Sequence, residues 1–179
     1  MELWDAYDVR GNSLEHTLIR GEGVPAGEYH LVADILVRHT DGSFLLTQRD
    51  PQKPAFPGCW ELSAGGSVLA GETALSGAMR ELREETGIQA DALAPAFEIT
   101  WPGRHASYHG YVCRYAGDKE AITLQPGETV AYRWLTLWNR RSSFWPLTAD
   151  DSDYKYVRML WYFRDLAVWF LNIPLSSDE

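Results

Sequence analysis

The stretch Gly66–Ile88, GSVLAGETALSGAMRELREETGI, decides how this chain is read. Its second half has helical periodicity. Leu75, Ala78, Met79, Leu82 and Thr86 recur at i, i+3, i+4, i+7 and i+11, the spacing of one helix face. Gly87 follows directly, where helices end on a residue in the left-handed conformation. The pattern predicts a helix over 73–86. At about 100° per residue, Glu81, Glu84 and Glu85 share a polar sector with Arg80 and Arg83, away from Leu75, Met79 and Leu82. Like charges at i,i+4 cost about 0.2–0.5 kcal/mol per pair, and the two arginines offset that on a solvated face. The flanks point to chemistry instead. Gly65-Gly66 lets the backbone approach a ligand closely, and Glu72 is a further acid just before the helix. A hard cation such as Mg2+ takes oxygen ligands and keeps several waters. Helix carboxylates and a loop carbonyl supply such a set.

Outward from this segment, extended runs alternate with turns. Residues 3–20 read as a hairpin turning at Arg10-Gly11-Asn12. Residues 29–38, YHLVADILVR, are β-rich, and Asp41-Gly42 returns the chain into 43–48, SFLLTQ. Three prolines and a glycine make 50–59 a loop. Residues 60–63 form a short strand before the glycine pair. Further strands are expected near 97–101, 107–115 and 132–136, and a second helix over 152–171. Strands mixed with two helices predict an α/β (α+β) architecture, an α/β/α sandwich with an N-terminal β-hairpin extension. The length suits one domain over 1–179.

Composition narrows the partners. A formal net charge of −9 excludes long-range steering of a nucleic-acid polymer. A small anionic substrate stays open, because a bound cation inverts the local field. Two cysteines, Cys59 and Cys113, make neither a disulfide framework nor a zinc pattern, and fit a reducing cytoplasm. The opening MELWDAYDVRGN is not read as a signal peptide. The apolar run 157–171 is broken by Arg158, Arg164 and Asp165, so it reads as a buried helix rather than a membrane span. Apolar residues on nearly all its faces make a homodimer an expectation to test.

The spacing of Gly66, five residues, Glu72, seven residues, then Arg80-Glu81-Leu82-x-Glu84-Glu85-x-Gly87-Ile88 resembles an unbroken Nudix box. The order of strands, box and final helix is similar to that family over most of the chain. The resemblance implies a Nudix-type α/β/α sandwich with a mixed β-sheet. It implies cleavage of a diphosphate bond by water attack at phosphorus, with Mg2+ or Mn2+ as cofactor and a small nucleoside-diphosphate-linked or related substrate. By resemblance, Glu81 and Glu85 are metal ligands, and the Gly65 carbonyl is a backbone ligand. Glu84 is a further ligand or the residue that activates water. Arg80 holds Glu81 and its neighbours by charge-assisted hydrogen bonds, and Glu72 locks the loop to the helix. The base in this family can lie outside the box; Glu128, in LQPGETVAYRWL, is the candidate, with Glu98 behind it.

Within that family, WDAYDVRGN, EYHLVADILV, GSFLLTQRD and PGCWELSAGG resemble the isopentenyl-diphosphate isomerase branch. The isomerase has a catalytic Cys where this chain has Gly65, and a metal-binding His where it has Ser67. Cys59 lies six residues too early, although His30 matches an isomerase metal position and His16 stands near another. An intact box without the isomerase thiol favours hydrolysis. A non-catalytic nucleotide-binding module is the third reading, and it has no need of a full acid set. For substrate recognition the candidates are Arg49, Trp60 and Arg104, with Trp101, His105 and Tyr108 nearby.

Overall fold

A computed structural model describes residues 1–135. The expected helix over 152–171 and the end of the last expected strand, Thr136, lie outside the described residues. The strands are β1 (Leu3–Tyr7), β2 (Ser13–Ile19), β3 (His30–His39), β4 (Phe44–Arg49), β5 (Trp60–Leu62), β6 (Ala64–Ser67), β7 (Ala94–Trp101), β8 (Ala106–Tyr115) and β9 (Thr129–Leu135). The helix α1 spans Ala74–Thr86, between β6 and β7.

Strict alternation in β3 organises the molecule. Leu31, Ala33, Ile35 and Val37 are buried, and the residues between them are only partly so. The buried row meets Ala78 and Leu82 of α1, and Leu45, Val68, Ile88 and Cys113 complete one core. A fully buried Ile35 or Leu82 contributes about 1.5–3 kcal/mol through loss of apolar surface from water. The main sheet runs β5-β4-β3-β8-β7, with β6 added on β3 and β9 on β4. β3 and β8 are parallel, while β3 and β6 are antiparallel, so the sheet is mixed.

Between β5 and β6 the chain leaves β4 and joins β3. Ser63 makes that switch possible. Its hydroxyl accepts from the Val37 amide at 2.7 Å and donates to the Leu45 carbonyl at 2.8 Å. One buried side chain thus satisfies backbone groups where β3 and β4 part. β6 is the element sequence reasoning missed, since an interior glycine pair weakens a strand. Here Asp34 and Glu81 occupy the space that side chains at 65 and 66 would fill.

The helix begins one residue after the expected start, with Thr73 as its cap. The Thr73 hydroxyl accepts from the Ser76 amide at 3.1 Å, and Ser76 Oγ accepts from the Thr73 amide at 2.9 Å. It ends on Gly87 at φ +74, as expected. The expected buried face needs correction. Leu75 is exposed, and the buried surface runs through Gly77, Ala78, Leu82, Glu85 and Thr86. The reason is close approach: a β-carbon at Gly77 would stand 3.1 Å from Val68 Cγ2. The helix docks on its smallest residues, which turns the Glu81–Glu85 side to the sheet rather than to water.

The N-terminal hairpin forms as expected, β1 pairing antiparallel with β2. Its own small core is Trp4, Ala6 and Leu18. It is tied to the main body by a Tyr7–Tyr29 bridge and by Asp5, which accepts from the Gly71 amide at 2.8 Å.

Candidate active site

Arg80 organises the site. Its Nε donates to Glu72 Oε1 at 2.8 Å, Nη2 to Glu72 Oε2 at 3.0 Å, and Nη1 to Glu81 Oε1 at 2.7 Å and to Glu84 Oε2 at 3.2 Å. Nη2 also reaches the Ser67 carbonyl of β6 at 3.1 Å. Glu72 in turn accepts from the Leu69 amide at 2.9 Å. One guanidinium fork therefore pins loop, strand and helix together. The hydrogen bond from Arg80 holds the Glu72 carboxyl below its ordinary range and keeps Arg80 charged.

The two central acids sit differently from Glu84. Glu84 is exposed, whereas Glu85 is buried and Glu81 is partly buried. Burial pushes the Glu81 carboxyl up despite Arg80. Burial, and then the neighbouring Glu81 charge, push Glu85 up to about 8. The Gly65 amide donates to Glu85 Oε2 at 3.1 Å and works weakly against that shift. Burial and like charge both disfavour ionised carboxylates, so the pair lacks positive charge that Arg80 alone does not supply.

The donor set suits a hard cation. A β-carbon at Gly66 would stand 2.7 Å from Glu81 Oε2, so the absent side chain is what admits the carboxylate. Among the described residues no three acidic, imidazole or thiol groups close into a cage. The protein offers an open, partial set of oxygen donors of the kind a hard cation would take, with other oxygen ligands needed to complete it.

These acids open onto a cavity of about 560 Å³ whose lining includes Gly65, Gly66, Arg80, Glu81, Glu84, Glu85, Arg49, Arg104 and Glu128. Arg49 donates to the Ala55 carbonyl at 2.8 Å and stands 3.7 Å from Glu61. The Arg104 guanidinium lies 5.0 Å from the Phe56 ring centre and 5.7 Å from that of Trp101. Glu128 pairs with Lys53. Trp60 is not part of the lining; the Arg133 guanidinium covers its ring at 4.0 Å. Glu98 also lies outside the lining, exposed and paired with His109 at 3.0 Å. His30 stacks on Trp4 at 4.0 Å, and His16 pairs with Glu28 at 2.8 Å. Neither imidazole reaches the acids' cavity.

Among the lining residues that escaped sequence reasoning are four charged ones, Asp34, Glu61, Arg20 and Glu2. Asp34, on β3, has its carboxyl pushed up to about 7 by burial and then by Glu61. Arg20 and Glu2 come from the N-terminal hairpin and pair at 2.6 Å. The only signal for Asp34 was an acid inside an apolar run, which alternation alone reads as solvent-facing.

With this geometry in hand, the chain belongs to the Nudix family: the NUDIX domain profile matches residues 28–159. A Nudix hydrolase of Listeria monocytogenes, itself uncharacterized, is 41% identical over 91 residues, covering 51% of this chain and 54% of that protein. This chain thus spans about half the length of that relative. An isopentenyl-diphosphate Delta-isomerase of Klebsiella pneumoniae is 29% identical over 113 residues, covering 60% of this chain and 61% of the isomerase. The crystal structure of DR0079 from Deinococcus radiodurans superposes with a TM-score of 0.62 at 25% identity, covering 75% of this chain and 83% of DR0079.

Proposed function

We propose that this chain is a Nudix hydrolase that cleaves the diphosphate bond of a small nucleoside-diphosphate-linked or related substrate by water attack at phosphorus, with Mg2+ or Mn2+. The carrying observation is the pair of carboxylates, Glu81 and Glu85, packed against Gly65-Gly66 and fixed by Arg80. In this reading Glu81, Glu85 and the Gly65 carbonyl hold the cation. When bound, it neutralises charge on the diphosphate and lowers the pKa of a coordinated water. Glu84, exposed at the rim and touched by Arg80, is a further ligand or takes the proton of the attacking water. Glu128 lines the same cavity and is the alternative base. Arg49 and Arg104 face the cavity as cationic contacts for the substrate. Two free cysteines fit a cytoplasmic setting, and a homodimer is part of the same proposal.

The isomerase reading has less support. Position 65, where the resemblance expects the thiol, is a glycine, and a β-carbon there would stand 2.7 Å from Asp34 Oδ1 and 3.0 Å from the Ala33 carbonyl oxygen, so Asp34 would have to move to admit a side chain.

The test is product release from a panel of nucleoside triphosphates, nucleotide sugars, dinucleotide coenzymes and isopentenyl diphosphate, with and without Mg2+. With a phosphatase added to free phosphate from phosphomonoester products, the expected result is metal-dependent phosphate release that Glu85→Gln abolishes. Double-bond movement in isopentenyl diphosphate without phosphate release would overturn the reading.

A further inference from the structure

Glu128 differs from the box acids in what holds it. Glu72, Glu81 and Glu84 share one cation, Arg80. Glu128 has a cation of its own, Lys53, whose Nζ pairs with Glu128 Oε1. Lys53 is not among the lining residues, so its ammonium meets Glu128 from outside the cavity. Glu128 does line the cavity, and its negative charge is felt at both Glu81 and Glu85. Only Oε1 is engaged. Oε2 has no hydrogen-bond partner among the described residues and, unlike Asp34 Oδ2, is not sealed from solvent.

Two loops build this pair. β4 ends at Arg49, the register partner of Thr129 on β9. Directly after it the Asp50 amide donates to the Glu128 carbonyl at 2.8 Å, and the Lys53 amide donates to the Asp50 carbonyl at 3.0 Å. Asp50 Oδ1 accepts from the Gln52 amide at 2.7 Å and closes the same turn. On the other loop the Glu128 and Thr129 amides both donate to the Gln125 carbonyl, at 3.1 and 3.2 Å. The turn that fixes the Glu128 backbone therefore also carries the lysine that fixes its side chain. Lys53 keeps only 18% of its side chain exposed, and lysine is seldom buried without a partner. Holding two long side chains in one geometry costs rotamer freedom, and ion pairs near the surface return little stability for it. Stability is a weak reason for such a pair; aiming one carboxylate is a specific one.

We infer that Lys53 is a positioning residue: by holding Oε1 from outside the cavity, it leaves Oε2 of Glu128 to take the proton of the attacking water, in preference to Glu84. The inference rests on the hydrolase reading. In the step, the water oxygen bonds to phosphorus as its proton passes to Glu128 Oε2. The bond from phosphorus to the bridging oxygen breaks, and that oxygen keeps the electron pair. Lys53 stays charged and gives up no proton. A base works within about 2.6–3.2 Å of the atom it deprotonates, so a carboxylate free to swing loses rate rather than binding.

The test is a double-mutant cycle on the full chain, using the member of the diphosphate panel that the native protein turns over fastest with Mg2+. The values of kcat, KM and the Mg2+ activation constant are measured for the native protein, Lys53→Met, Lys53→Arg, Glu128→Gln, and the protein carrying both Lys53→Met and Glu128→Gln. Melting temperatures show that each is folded. Glu128→Gln should lower kcat about 100-fold or more. Lys53→Met should lower it about tenfold or more, with KM and the Mg2+ constant changed by less than about twofold. Lys53→Arg keeps the cation and should recover most of that loss. In the Glu128→Gln background, Lys53→Met should change kcat by less than about twofold, because the lysine has nothing left to position. An equal loss from Lys53→Met in both backgrounds would overturn the inference. So would full turnover by Glu128→Gln beside an inactive Glu85→Gln, which leaves the hydrolase reading standing with Glu84 as the base. A native protein that releases no phosphate from any panel member would overturn the hydrolase reading, and this inference with it.

Discussion

At the scale of single residues, Arg80 shows why the site tolerates so many acids. It binds Glu72 with a two-pronged contact and still reaches Glu81, Glu84 and the Ser67 carbonyl. An ammonium group lacks that planar fork. Arg80→Lys is expected to lower metal affinity or activity about 10–100-fold with the fold intact, measured by Mg2+ titration of activity. Unchanged titration would remove Arg80 from its positioning role. Glu85 carries a pH signature. Its carboxyl ionises near 4.3 in an unfolded chain and is pushed up to about 8 in the folded, metal-free protein. A raised carboxylate pKa means that the folded state holds the proton more tightly. Metal-free protein therefore loses stability as pH rises toward about 8 and is flat above, and Asp34 adds to the same loss up to about 7. Melting in chelator at about pH 7 and about pH 9 checks this; equal melting points would contradict it. The box acids were legible in the sequence because their spacing is local. Asp34 was not, because its meaning depends on which strand lies beside it.

At the scale of elements, the helix was readable and its orientation was not. Periodicity and Gly87 placed its length to within a residue. The face it buries was decided by Gly77 meeting Val68, a contact between different elements. Thr73→Ala removes the hydroxyl that accepts from Ser76 and should cost about 0.5–2 kcal/mol, seen as a shift in the denaturant midpoint. Because Glu72 is next in line, the same variant should also loosen Arg80, so a stability loss without any change in activity would separate cap from site. The strands began earlier than expected. β7 opens at Ala94 rather than near Phe97, with a bulge between Pro95 and Phe97, and β9 opens at Thr129 rather than Tyr132. Pro95 lacks an amide hydrogen for the ladder, and Gly127-Glu128 read as a turn just ahead of Thr129, so neither start shows in the local pattern.

At the scale of the whole molecule, the parallel pairing of β3 with β8 brings together residues more than seventy positions apart. No local pattern encodes that register, so the union of acids, Tyr108 and Trp101 in one cavity could not be read from the chain. The fold class could, since alternating strands around one amphipathic helix admit few packings. The whole fold also carries the strain of the acidic pair. A cation that binds only the folded state stabilises it by mass action, by about 2.7 kcal/mol at a hundred times its dissociation constant. Mg2+ should therefore raise the melting temperature of the native protein, and do so much less for Glu85→Gln. An equal rise in both would place the bound ion elsewhere.

The hairpin at the start of the chain has a practical consequence. Glu2 lines the cavity and Met1 is fully exposed beside it. Any sequence attached ahead of Met1 is thus delivered to the rim of the site. A polyhistidine purification handle placed there would bring a competing chelator to the cavity mouth, and metal titrations made on such a fusion would report the handle together with the site.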